Sequence, residues 1–219
     1  MYLSNKHKLL FIAVPRTASN SVQQALINSD ITDSSDVVYS LKTKDDQEAI
    51  LNYHLTPSDL VKKELISSED LNNYKAFGFV RNPFDRWVSN IFLARHTGAL
   101  DKNQDPLTQM CKLLRNNTNL FKNGTVFHRR FTFFKYTHYF FHQGTQVVDA
   151  YRFEDVEAVT KSLVPSVTDF PHVQVNTDGV PAKFKEPIET WLPEDCYKKI
   201  QQRFEDDLAF YNSIKAFNE

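Results

Sequence analysis

Leu9-Leu10-Phe11-Ile12-Ala13-Val14, followed at once by Pro15-Arg16-Thr17-Ala18-Ser19-Asn20-Ser21, is the stretch that decides the fold. A short apolar run, read as a buried strand over 8–14, turns without a spacer into a segment read as a helix over 19–28. The same arrangement returns at Ala76-Phe77-Gly78-Phe79-Val80, followed by Arg81-Asn82-Pro83-Phe84-Asp85-Arg86-Trp87-Val88-Ser89. A strand that runs directly into a helix aims backbone N–H groups and the positive end of the helix dipole at one place, which suits an anion. Two such turns imply a ligand with two separated phosphates.

Working outward from these turns, a short strand is expected near Val37-Val38-Tyr39, helices near 45–52 and 57–66, and a strand over 75–80. A helix over 84–95, a linker with Gly98 and a helix over 105–115 follow. Next come an aromatic and basic stretch at 126–142, a strand over 147–152, a helix over 154–163 and a closing helix over 194–213. In that last helix Pro193 suits the first turn, and Tyr197, Ile200, Phe204, Leu208 and Tyr211 form one apolar stripe. Its other face carries Lys198, Lys199, Gln202, Glu205 and Asp206 and is read as solvent-facing. Strands alternating with helices predict an α/β fold, a single-domain P-loop-like three-layer sandwich with a central parallel sheet flanked by helices, over 1–219. Pro165, Pro171, Gly179, Pro181 and Pro187 mark 165–190 as a long loop, of a length that is often a functional lid.

At 219 residues the chain can bury a core without disulfides or metals. Its formal net charge of −1 gives no global field toward nucleic acid or an anionic membrane, so any anion site is local. The 18 Phe and 9 Tyr suit a dense core and an aromatic-lined cleft. Cys111 and Cys196 belong to no metal-binding or disulfide pattern and read as buried thiols, and no metal is expected. No apolar run approaches a membrane span and no secretory leader is read at the N-terminus, so the expected compartment is cytoplasmic.

The first turn lacks the glycines and Lys of a GxxxxGK[ST] phosphate loop, which argues against an ordinary nucleotide or nucleoside kinase of P-loop type. It does offer one cation, Arg16, and the polar side chains of Thr17, Ser19, Asn20 and Ser21 at the opening of a helix; Ser19 or Asn20 would also serve as a helix N-cap.

Pro15-Arg16-Thr17-Ala18-Ser19-Asn20-Ser21 resembles the 5′-phosphosulfate loop of sulfotransferases, and Phe79-Val80-Arg81-Asn82-Pro83 through Ser89 resembles their 3′-phosphate motif. His54 ahead of the second motif, Tyr151-Arg152-Phe153-Glu154-Asp155, and Asp206-Asp207 in the closing helix extend the likeness to the branch with membrane-type carbohydrate sulfotransferases. The resemblance implies 3′-phosphoadenosine 5′-phosphosulfate as donor and a hydroxyl-bearing acceptor, a saccharide; the near-zero net charge and the lack of a long apolar run give the further expectation of no nucleic acid partner and no membrane span. It also implies that Thr17, Ala18, Ser19, Asn20 and Ser21 wrap the 5′-phosphosulfate, and that Arg81 and Ser89 hold the 3′-phosphate. Arg16 stands where most relatives carry Lys, and Arg gives planar bidentate contacts without acting as an acid, so its expected role is charge stabilisation.

The resemblance also favours His54, just before a helix and between the two loops, as general base, and its neutral imidazole accepts a proton near pH 7. His128, His138, His142 and Glu154 remain rivals. The stretch from Phe127 to Tyr136 reads as an amphipathic core segment or a wall for an anionic sugar rather than a nucleic-acid site, and Lys183 and Lys185 as surface lysines. Arg16 for Lys and Asn20 for the usual Ser or Thr leave open a degenerate relative that binds nucleotide without turnover.

Overall fold

In the computed structural model the described residues are 1–29, 31, 33, 35–38, 53–98, 100–115, 135–173 and 180–217. The expected helix near 45–52, Tyr39, and 126–134 of the aromatic and basic stretch lie outside them. The chain forms two compact units, the first made of Met1–Arg81, Lys135–Val173 and Phe210–Glu219, the second of Asn82–Phe134 and Gln174–Ala209.

The first unit is built on a five-stranded sheet. Strands β1 (Tyr2–Ser4), β2 (Leu9–Ile12), β3 (Val37–Val38), β4 (Lys75–Val80) and an edge strand at Asp149–Arg152 lie in the order β3-β1-β2-β4-edge. The expected parallel sheet holds for β2, β4 and the edge strand, where Phe11 pairs with Phe77 and Gly78 with Ala150. It does not hold at the other side: β1, which the sequence reading passed over, is antiparallel to both β2 and β3. Only Asn5, Lys6, His7 and Lys8 separate β1 from β2, which permits a hairpin and no crossover.

The β2 run is buried on both faces, as a central strand requires. On one face Phe11, Phe77 and Phe79 form an aromatic row, with Phe11 and Phe77 ring centroids 5.2 Å apart. Helices α1 (Ser19–Ile27) and α6 (Val156–Leu163) supply Val22, Ala25, Leu26 and Val159 to the same cluster. On the other face Gly78 leaves room for Phe140, whose ring would lie 3.2 Å from a Cβ placed there. Phe140 belongs to a single turn, α5 (Thr137–Phe140), followed by the short hairpin β5 (Phe141–His142) and β6 (Thr145–Gln146); the edge strand of the main sheet is β7. Helix α2 (Pro57–Lys62) completes this unit, and the expected helix 154–163 opens as a 3-10 turn at Phe153–Asp155.

The second unit is helical. Helices α3 (Pro83–His96), α4 (Pro106–Arg115) and α7 (Glu194–Arg203) enclose Trp87, Ile91, Met110, Leu113, Cys111, Cys196, Ile200 and Phe204. Arg95 closes the α3–α4 connection by donating to the carbonyls of Asp101, Lys102 and Gln104 and to the Gln109 side chain. Two 3-10 turns, Ala182–Phe184 and Ile188–Thr190, bring Phe184 and Ile188 into this core, so part of the expected 165–190 loop is anchored. Burial pushes the Cys196 thiol up to about 12, consistent with the expected buried thiols.

The closing helix is two helices, not one. Phe204 leaves the helical well at φ −107°, ψ 18°, and α8 (Glu205–Ser213) begins anew. The apolar stripe survives the break because Phe204 N–H still donates to Ile200 and Leu208 N–H to Phe204. Beyond the break Asp207 is buried and lies 3.8 Å from Arg86 of α3 in a buried ion pair. Among the described residues no helix is long and apolar enough to cross a membrane, and no group of three or more His, Cys, Asp or Glu could hold a metal ion.

Candidate functional site

The first phosphate-loop candidate has an unusual backbone for a stretch without glycine. Arg16 and Ala18 adopt left-handed conformations, with φ of 67° and 57°. Each such residue costs on the order of 1–2 kcal/mol relative to the right-handed region, so neighbouring contacts must enforce it. Those contacts converge on one carbonyl: Thr17 Oγ1 donates to Val14 O at 2.9 Å and Ser19 Oγ donates to the same oxygen at 2.5 Å. Neither Ser19 nor Asn20 is the N-cap of α1. Ala18 occupies that position and no side chain caps the helix, so its first-turn N–H groups face the turn uncapped. A left-handed residue followed by helical ones also curls successive N–H groups toward one concave side, an anion-binding nest.

Position 54 is brought to this loop by the sheet and by its own helix start. Thr56 and Asp59 cap α2 reciprocally: the Thr56 hydroxyl accepts from Asp59 N–H at 3.1 Å, and the Asp59 carboxylate accepts from Thr56 N–H at 2.9 Å. Pro57 at the first turn fixes the entry, and His54 lies two residues upstream of the cap. Its Nδ1 is 2.5 Å from Ala13 O. A carbonyl only accepts, so Nδ1 carries the proton and the neutral ring keeps its lone pair at Nε2. The neighbouring Tyr53 donates its hydroxyl to Asn20 Oδ1 at 2.7 Å, and burial pushes its phenol above the usual tyrosine range. Ser21, in the first turn of α1, accepts from Val173 N–H at 3.1 Å.

Arg81 joins the same neighbourhood from the end of β4. Its guanidinium carbon lies 4.9 Å from the centroid of the Phe153 ring, a cation–π contact. Arg16 is half-buried, and its pKa is lowered to about 10 chiefly by burial and then by the like charge of Arg81. Arg16 remains cationic at neutral pH. Two guanidiniums held close enough to repel form a local positive site in a chain of near-zero net charge.

The second phosphate-loop candidate differs in kind. Pro83 has no N–H, the Phe84 N–H is taken by the Asn82 side chain at 2.9 Å, and the Arg86 N–H by the Asn82 carbonyl. The start of α3 is therefore largely satisfied, and the backbone contribution expected for an anion there is small. Ser89 is buried in α3, within the second unit. The structure thus brings Arg16 through Ser21, His54 and Arg81 into one unit and leaves Ser89 in the other.

Of the rival bases, His142 has Nδ1 at 3.1 Å from the Ser58 hydroxyl and Nε2 at 3.0 Å from that of Ser68. His138 is exposed with Nδ1 3.3 Å from Lys135 O, Glu154 is exposed and accepts from Tyr211 at 3.4 Å, and His128 lies outside the described residues. Sequence reasoning missed the supporting roles of Tyr53, Tyr136 and Phe153. Only their place beside motif residues, or within an aromatic stretch, hinted at them.

Comparison of the chain with curated proteins and with solved structures gives no match. A family model described as the sulfotransferase family matches residues 1–119, more than half of the 219. That span includes both phosphate-loop candidates and His54, the residues whose geometry has just been described, and on this match the chain belongs to the sulfotransferase family.

Proposed function

We propose that the protein transfers a sulfo group from 3′-phosphoadenosine 5′-phosphosulfate to a hydroxyl of a saccharide. The observation that carries this reading is the pairing of two like-charged guanidiniums, Arg16 and Arg81, beside the uncapped start of α1. That donor set suits a ligand rich in phosphate oxygens, since cations and helix-start N–H groups each favour negative charge. The bound donor supplies the sulfur atom, at which an acceptor hydroxyl displaces 3′-phosphoadenosine 5′-phosphate in line.

The chain's own residues take the following parts. Arg16 holds the charge that builds on the leaving oxygen and, with a pKa of about 10, stays protonated throughout. Backbone N–H groups from Thr17 to Ser21 grip the 5′-phosphosulfate. The Thr17 and Ser19 hydroxyls, directed at Val14 O, keep the loop in shape. His54 accepts the acceptor's proton at Nε2, the nitrogen left basic by the bond to Ala13. Arg81 takes the 3′-phosphate by its side chain, and Ser89 is assigned to the same phosphate on motif spacing alone. The saccharide follows from the family branch that the motifs resemble.

The kinase alternative is not favoured, because residues 15–21 lack its signature and the family match points elsewhere. Calorimetric titration with 3′-phosphoadenosine 5′-phosphate, in chelator and beside ADP and 5′-AMP, tests the donor. Micromolar binding that needs the 3′-phosphate is expected, and a preference for ADP with Mg²⁺ overturns the reading. Tight binding without turnover on any acceptor would identify a degenerate member. Transfer only to non-sugar hydroxyls would remove the saccharide.

A further inference from the structure

Arg81 stands one residue beyond the last ladder pair of β4, Val80 with Arg152. Its main-chain N–H and C=O therefore have no place in the β4–β7 pairing. A single side chain supplies both missing bonds: the Tyr136 hydroxyl accepts from Arg81 N–H at 3.0 Å and donates to Arg81 O. One hydroxyl thus substitutes for a strand neighbour, and it ties down the Arg81 main chain where it leaves the sheet.

Tyr136 is itself fixed. It is fully buried, and its ring packs 6.3 Å from both Phe140 and Phe210. Phe140 in turn sits on the bare backbone of Gly78, three residues before Arg81 in β4. The hydroxyl is thereby referenced to the same strand whose end it clamps. The other end of the side chain is bounded by Phe153, over which the guanidinium lies at 4.9 Å.

We propose that Tyr136 is a positioning residue for the 3′-phosphate, presenting Arg81 preset at its backbone while Phe153 limits the guanidinium to one plane. The proposal rests on the assignment of Arg81 to that phosphate. A long flexible cation that is already oriented loses less freedom on binding, so the gain should appear only for ligands that carry the 3′ group.

The test compares wild type, Y136F and F153L by titration with 3′-phosphoadenosine 5′-phosphate and with 5′-AMP, alongside thermal unfolding and donor kinetics. In Y136F the affinity for the bisphosphate should fall about tenfold, as expected for two lost hydrogen bonds, while 5′-AMP binding changes less than about twofold. The donor KM should rise with kcat little changed. F153L should show a smaller loss in the same direction, and F153Y should recover it. A wild type without preference for the 3′-phosphate refutes the donor assignment, not the clamp. A wild type with the preference and a Y136F that keeps it in full overturns the clamp, as does equal weakening of both nucleotides. Should Y136F fail to fold, an unchanged preference in F153L overturns the proposal and a reduced one supports it.

Discussion

His54 is fastened to Ala13: its Nδ1 donates to the main-chain oxygen of that residue at 2.5 Å, so the ring is oriented by the residue that follows β2 and leads into the Arg16 loop. The bond selects the tautomer with Nε2 basic. His54→Ala should leave binding of 3′-phosphoadenosine 5′-phosphate within about twofold and lower kcat by roughly 10²–10⁴, the usual span for a lost general base. Titration and single-turnover transfer measure the two effects separately. Unchanged turnover would pass the role to His128, His138, His142 or Glu154.

Arg16→Ala should weaken nucleotide binding and reduce kcat by about 10²–10³, as for removal of one preorganised donor from a developing oxyanion. Arg16→Lys keeps the charge but loses the planar fork, so its kcat should fall between those of the wild type and Arg16→Ala. Equal rates for Arg16→Ala and the wild type would place the leaving-group cation elsewhere.

The lowered pKa of Arg16, about 10, gives a pH prediction. Below that value the guanidinium is charged and attracts phosphate; as pH rises through about 10 it loses its proton in the free protein and the attraction goes with it. Affinity for the bisphosphate should therefore hold from pH 7 to about 9 and decline near 10, with the decline absent in Arg16→Ala. Calorimetry in buffers of differing ionisation heat would also reveal the linked proton uptake.

Gly78→Ala should destabilise the protein by about 1–3 kcal/mol, the usual penalty of overpacking. The added carbon would meet Ile12 O and the Phe140 ring at 3.2 Å. Denaturant unfolding measures it; a stability equal to wild type would mean that the ring can retreat freely.

Much of this was legible in the chain. The strand at 75–80 matches to the residue because five apolar or small residues end abruptly at Arg81. Tyr2-Leu3-Ser4 is too short to carry a periodic signal, so β1 and its antiparallel pairing stayed hidden. The bend at Phe204 was invisible for another reason, since the i, i+4 stripe runs through it unbroken. At the site, residues that act through their own chemistry, Arg16, His54 and Arg81, announced themselves by type and spacing. Tyr136 did not, because it acts on main-chain atoms 55 residues away, where any side chain at 81 would present the same groups.

The left-handed backbone at Arg16 and Ala18 has a consequence for how this loop can vary. Where glycine makes such a turn, chemistry is free to change around it. Here the shape comes first, and the permissible alphabet at both positions is narrowed before function is considered: proline is forbidden, and valine, isoleucine and threonine are strongly disfavoured. Position 16 must accept a positive φ and carry a cation at once, which leaves arginine and lysine alone, and of the two only arginine brings the planar fork.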